Sequence, residues 1–171
     1  MADRPVFATL LAVVVLAAVA AVVAQSGLIY SVAPPNPDGY ERVNVTAYDD
    51  DCGQLATVEV RVADTQDKRY LGLSNTSELE MGEGMLFVHP SEGEHTYVMR
   101  RMDFPIDIIF VDSNERVTTI HHAPVPDGEY ERTYPGRGKW VLEVPRGWSN
   151  QTGLEVGDRI AIPPAANDTA G

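Results

Sequence analysis

Four charged side chains stand where apolar ones would be expected. In the stretch YVMRRMDFPIDIIFVD, Arg100 and Arg101 precede Asp107 within a run of large apolar residues, and in KWVLEVP a second run is broken by Glu143. A carboxylate in such a setting must be paired or hydrogen-bonded, and the nearest cations in sequence are the two arginines. Two chemistries fit these residue types. Arginine can hold an anionic or hydroxyl-rich ligand while carboxylates accept hydrogen bonds, which makes Arg100, Arg101, Asp107 and Glu143 a candidate ligand-binding set. Asp107 and Glu143 are also candidate catalytic residues, because two carboxylates with separated pKa values can act as acid and base. The alternative is purely structural: an ion pair, Arg100 with Asp107 foremost, that fixes strand register or ties down the loop at Pro105.

The other reactive residue types make no comparable set. His121 and His122 are adjacent, so on a strand their side chains diverge, and His89 and His95 flank the turn-like PSEGE. The patterns H-E-x-x-H and C-x-x-C are absent, so neither a metal nor a cofactor is expected. There is no G-x-S-x-G elbow and no glycine loop to cradle phosphate. Cys52 is the single cysteine. It can neither found a disulfide scaffold nor, lacking a flanking base or helix start, serve as a strong nucleophile. Trp140 and Trp148 sit in apolar surroundings and read as core or helix-docking residues. Acidic residues number 25 against 13 basic ones, a formal net charge of −12, which excludes nucleic acid as a partner. That acidity is spread through segments such as YDDD and EGE and reads as solvated surface. The acid-rich, lysine-poor composition resembles that of proteins from salt-loving microbes.

These side chains must be positioned by strands. In TVEVRVAD, Val58, Val60 and Val62 alternate with Glu59 and Arg61, the pattern of a half-buried strand. Asp64 or Thr65 can then cap a short helix through TQDKRYLGL, with Tyr70 and Leu71 inward and Gly72 as its stop. GMLFVH, TYVM, IDIIFVD, RVTTIHH, KWVLEVP and DRIAI follow as β-rich runs between turns, and a second short helix is expected from Trp148 to Gly153. The expected fold is mainly β, an antiparallel sandwich or barrel of jelly-roll type with one or two short helices. Along PIDIIFVD, Ile106, Ile108 and Phe110 share one face and Asp107, Ile109 and Val111 the other. Along KWVLEVP, Trp140, Leu142 and Val144 share one face, and Val141 and Glu143 the other.

Ahead of this domain, residues 6–24 (VFATLLAVVVLAAVAAVVA) carry no charge and approach the roughly 20 apolar residues that span a bilayer. They are expected to form a retained transmembrane anchor after a short tail at 1–5, with secretion after cleavage of this segment as the alternative. The only basic residue near the segment is Arg4, on its short side, so the domain is expected outside the cell. Residues 25–41, rich in Pro and Gly, read as a linker, residues 42–164 as the folded domain, and 165–171 as a flexible tail. Four N-x-[ST] sequons, at Asn44, Asn75, Asn150 and Asn167, all follow the apolar segment and are candidate glycosylation sites.

In order, VADTQDKRYLGLSNTSEL, GEGMLFVHP, YVMRRMDFPIDIIFVDSNERV and WVLEVPRGWSNQTGLEVGDRI resemble the signature blocks of domain-of-unknown-function family 192, over roughly Thr57 to Ile162. The resemblance implies a small, mainly β, jelly-roll-like domain, often exported or anchored, without an established activity. The family's GL falls on Gly72 and Leu73, its GMLF on Gly84 to Phe87, its WMKN on Val98 to Arg101, its P-L-D on Pro105 to Asp107, and its VLEVPAG on Val141 to Gly147. Here the aromatic is replaced by Val98, the asparagine by Arg101 and the alanine by Arg146. The function expected is that of a surface-anchored binding or accessory module for a small ligand, glycan or partner protein. The alternative is a hydrolase-like enzyme using Asp107 and Glu143.

Overall fold

The computed structural model describes residues 38–128 and 132–167. The expected anchor at 6–24, the short tail at 1–5, most of the linker and the last four residues of the expected tail at 165–171 lie outside them; the first three residues of that tail are described and belong to a terminal turn. Among the described residues no helix is long and apolar enough to cross a membrane.

Seven strands form one sheet: β1 (Arg42–Tyr48), β2 (Gln54–Ala63), β3 (Glu83–Val98), β4 (Ile106–Val111), β5 (Val117–Ala123), β6 (Thr133–Pro145) and β7 (Arg159–Ala161). Their order across the sheet is β5-β4-β6-β3-β2-β1-β7. The sheet curls until its two end strands meet. Arg116 bridges Arg159, Val117 N–H donates to the Asp158 carbonyl at 2.9 Å, and Gly157 N–H donates to the Val117 carbonyl at 2.9 Å. Curling with partial closure hides backbone groups that a flat sheet would leave exposed at both edges.

The mainly β expectation holds, with two differences. There is one curled sheet and not a pair of packed sheets, and β2 pairs with β3 in parallel, Glu59 with Glu83 through Ala63 with Phe87. The parallel pair follows from the helix between them. Helix α1 (Gln66–Leu71) is capped at its start by Thr65 Oγ1, which accepts from Lys68 N–H at 3.3 Å, and stopped by Gly72 at φ 52°. A strand, a helix and a returning strand form a crossover, which delivers the second strand parallel to the first. The runs expected as separate strands at GMLFVH and TYVM are one long strand, whose register with β6 shifts between Val88 and Gly93.

Alternation in the strands divides the core in two. On one face Val45, Val58, Val60, Leu86, Ile109, Val111, Trp140, Leu142, Val144 and Ile160 pack together with Trp148 from the helix α2 (Trp148–Thr152). On the other, Met85, Phe87, Ile106, Ile108, Phe110 and Val141 pack with Leu73, Met99, Met102 and Tyr134. All six residues of β4 are therefore buried, as in any strand covered on both faces. Close approach of backbone completes the second layer. A Cβ on Gly136 would sit 2.5 Å from the Phe110 ring, and one on Gly138 would sit 2.8 Å from the Val111 carbonyl, so the first half of β6 lies against β4 only because both residues are glycine. A terminal turn, α3 (Pro164–Asn167), ends the described chain and buries Ala166.

Candidate functional site

The two buried carboxylates are separated by the sheet. Asp107 lies opposite Val144 on β6, on the face of Ile109 and Trp140, whereas Glu143 lies opposite Ile108 and Met85, on the face of Phe87 and Val141. Within each strand the faces are those expected from the sequence. The pairing of Asp107 with Glu143 as acid and base is not formed.

Asp107 is fully occupied by structural bonds. Its Oδ2 accepts from Gly147 N–H at 3.1 Å, Ser149 N–H at 3.1 Å and the Ser149 hydroxyl at 2.7 Å. Its Oδ1 accepts from His122 Nδ1 at 2.7 Å, with Arg146 Nε at 3.9 Å. The start of α2 thus has no cap of its own and takes one from β4, across the fold. Arg100, expected as the partner of Asp107, is elsewhere. Its guanidinium stacks 4.0 Å over the Tyr70 ring and donates to the Tyr70 carbonyl.

Arg101 also leaves the expected set. It is exposed, lines a separate shallow cavity with Asp103 and Pro126, and holds φ 54°, the left-handed region. Asparagine tolerates that conformation better than other residues with a side chain. The asparagine implied here by the family pattern accordingly reads as a backbone requirement and not as a ligand contact.

Glu143 has a different environment. It is 5% exposed, makes no hydrogen bond or ion pair to any described residue, and lines the floor of a groove of about 480 Å³. Burial pushes its carboxyl up to about 8, so at pH 7 it is largely protonated. One wall of the groove is α1 with the residues after it; the other is the distal half of β3. Gln66, Arg69, Tyr70 and Leu71 of α1 line it, followed by Leu73 just past the helix. The expectation that Tyr70 and Leu71 pack inward is corrected: they are 74% and 37% exposed and α1 buries no residue, although both border the groove.

Arg69 is fixed in place without a counter-ion. Its Nη1 donates to the Asp64 carbonyl and, at 2.8 Å, to the Val88 carbonyl, and it forms no ion pair with a described residue. Across from it, the rings of His89 and His95 stack at 3.5 Å between centroids, and His89 Nε2 lies 3.0 Å from the Tyr97 hydroxyl. Burial first, then His95 and Arg69, lower the His89 pKa to about 4, and burial likewise lowers that of His95. Burial, followed by the charge of Glu143, raises Tyr97 above the ordinary phenol range. These histidines are thus neutral near pH 7. Among the described residues no group of three His, Cys, Asp or Glu is arranged to hold a metal ion.

Of the sequence-derived ligand set, then, the groove brings together Arg100 and Glu143 and omits Arg101 and Asp107. It adds Arg69, His89, His95 and Tyr97. The signal for Arg69 lies in its i, i+3 spacing from Gln66 within α1. The histidine stack, by contrast, depends on the register shift in β3. His121 and His122 do diverge, His121 Nε2 lying 2.7 Å from the Pro135 carbonyl. Asn44, Asn75 and Asn150 are exposed, and Trp140 and Trp148 are buried. The side chain of Asn167 lies outside the described residues.

Residues 48–162 match the family model DUF192, described as "Uncharacterized ACR, COG1430", and the chain belongs to that family. It is 34% identical over 113 residues to a UPF0127 protein of Pyrococcus furiosus, covering 63% of this chain and 90% of that one. Among solved structures it is similar to a protein of unknown function from Novosphingobium aromaticivorans, with TM-score 0.67, 30% identity, and coverage of 77% of this chain and 94% of the other. It is also similar to a proposed transcription regulator from Sinorhizobium meliloti, with TM-score 0.66, 24% identity, and coverage of 71% and 94%. The last likeness is one of fold alone.

Proposed function

We propose that this protein is a binding module that receives a small ligand in the groove between α1 and the distal half of β3. The observation that carries this reading is Glu143. Its carboxyl opens onto the groove and makes no hydrogen bond to any described residue, so a ligand seated there can complete its hydrogen bonds. A small ligand fits better than a glycan, since both tryptophans are buried and offer no stacking platform. A hydrolase acting through Asp107 and Glu143 loses its second carboxylate to the bonds at α2. The proposal places this module outside the cell on an anchor at 6–24; the uncharged apolar run and the exposure of Asn44, Asn75 and Asn150 support that reading.

The test is a fragment survey by ¹H–¹⁵N chemical-shift mapping on the full chain in a mild detergent, using small acids, amines and neutral amides. Shifts should cluster at Gly72, Leu73, Thr96 and Val98. Shifts confined to other parts of the surface would overturn the reading. For the location, protease added to intact cells should remove the domain, and protection until lysis would refute it.

A further inference from the structure

The groove is basic in a chain that is otherwise strongly acidic. Arg69 and Arg100 line it, Glu143 is its one carboxyl, and neither arginine forms an ion pair with a described residue. Elsewhere Arg42, Arg116, Arg137, Arg146 and Arg159 each have a carboxylate within 4 Å, and Arg61 and Arg101 form no ion pair with a described residue; what sets Arg69 apart is that it is tied down by carbonyls at the groove. With 25 acidic residues available, a guanidinium fixed by carbonyls alone leaves its charge for something outside the chain.

The geometry of Arg69 says which edge remains. Both of its bonds, to the carbonyls of Asp64 and Val88, come from Nη1, so Nε and Nη2 donate to no described residue. That pair of N–H groups is the side-on edge of the guanidinium, whose parallel donors match the two oxygens of a carboxylate. Further in, Leu73, Phe87, Met102 and Ile106 supply an apolar surface that ends at Glu143.

Resting on the reading of the groove as a ligand site, we propose that it takes a small organic carboxylate with an uncharged oxygen at its far end. The Nε–Nη2 edge of Arg69 grips the carboxylate, the body lies on Phe87 and Met102, and the far oxygen meets the carboxyl of Glu143. A carboxylate suits this site better than a phosphate, because one fixed guanidinium balances one negative charge and the apolar floor disfavours a second. Glu143 does not repel the anion, since burial keeps it largely protonated at pH 7, and its O–H donates to the far oxygen. Arg100, stacked on Tyr70 at the groove's edge, adds positive potential that draws anions in.

Four probes of one size separate these features: 4-hydroxyphenylacetate, phenylacetate, 4-hydroxyphenylacetamide and tyramine, titrated by calorimetry into the full chain in detergent at pH 7. The hydroxyacid should bind most tightly, phenylacetate several-fold more weakly, the neutral amide at least tenfold more weakly, and the cation tyramine not at all. Arg69→Gln should abolish the advantage of acid over amide. Glu143→Met should abolish the advantage of hydroxyacid over phenylacetate. Equal binding of acid and amide, a preference for tyramine, or no binding by any of the four overturns the carboxylate assignment. Shift mapping with the broader fragment set distinguishes that failure from failure of the groove as a site, because fragments of another class would still perturb Leu73 and Val98. The wild-type series decides the matter even where a variant does not fold.

Discussion

Replacing Asp107 by alanine tests whether this residue belongs to the fold or to a ligand site. Its carboxylate accepts four hydrogen bonds, three of them on Oδ2 from Gly147 and Ser149 and one on Oδ1 from His122. Ser149 is 1% exposed and Asp107 is 0% exposed, so the two Ser149 donors left without an acceptor cannot turn to water, whereas exposed His122 and half-buried Gly147 can. A hydrogen bond to a charged group contributes about 1.5–3 kcal/mol, and each orphaned buried donor costs about 1–3 kcal/mol. These are alternative measures of one loss, and they overlap, so Asp107→Ala should cost about 3–5 kcal/mol. Asp107→Asn keeps one oxygen for the α2 donors and should cost about half as much, while Ser149→Ala removes only the hydroxyl and should cost about 1 kcal/mol. Denaturant unfolding of the three variants at one pH, with unchanged slopes, gives the order directly. Arg100→Ala combined with Asp107→Ala should be additive within about 0.5 kcal/mol, because the two share no partner. An Asp107→Ala protein within about 1 kcal/mol of wild type, or strong coupling to Arg100, would refute the structural assignment.

Arg101→Gly relieves the left-handed backbone at φ 54° and should stabilise the protein by about 0.5–1 kcal/mol in the same assay, the gain expected where a strained position accepts glycine; a loss would show that the arginine side chain matters more than its backbone. Gly136→Ala drives a methyl group into the Phe110 ring and should cost about 1–3 kcal/mol; a neutral result would mean that the first half of β6 does not lie against β4. Stability should also depend on pH through Glu143. Its pKa is raised from 4.5 to about 8 on folding, so across that window the folded state holds a proton that the unfolded chain has released, and stability falls by about 1.4 kcal/mol per pH unit as pH rises. His89 acts in the opposite sense, its lowered pKa withdrawing stability only as pH falls below 6.5 towards about 4. Arg69, Arg100, His95 and Tyr97 also face the groove, so the comparison is made with Glu143→Gln, which should lose the decline between pH 6.5 and 8. A wild-type protein that parallels this variant there would contradict the raised pKa.

Periodicity made the two faces of β4 and β6 legible. Asp107 with Ile109, and Glu143 with Val141, follow from alternation within each strand. Which face of one strand joins which face of the other is a matter of register, and the pairing of Ile108 with Glu143 joins residues 35 positions apart. No local signal carries it, so the two carboxylates were read as a set. The same limit applies to α1. Thr65 and Gly72 mark its ends by local capping chemistry, but its inward face was assigned to Tyr70 and Leu71 on polarity. The helix in fact offers Gln66 and Arg69 to the groove as well as Tyr70 and Leu71, because a solvent-open groove accepts polar and apolar side chains alike. The parallel pairing of β2 with β3 was implicit in a strand, helix and strand succession, and it was hidden by the β-rich runs that follow. Gly136 and Gly138, two apart in YPGRGKW, were the trace of β6 lying against β4; they are readable only once the neighbouring strand is known.

In the reading proposed above, Glu143 is a carboxyl at the floor of a ligand groove with no hydrogen-bond partner among the described residues. The measurement that tests it most directly is a pH titration of the Glu143 side-chain ¹³Cδ resonance, assigned by its absence in Glu143→Gln, in the free protein and with 4-hydroxyphenylacetate. The account predicts a midpoint near 8, far above that of the exposed glutamates, and a resonance that moves when the probe binds. A midpoint near 4.5, the ordinary value for this group, and no response to the probe or to any other fragment would contradict it.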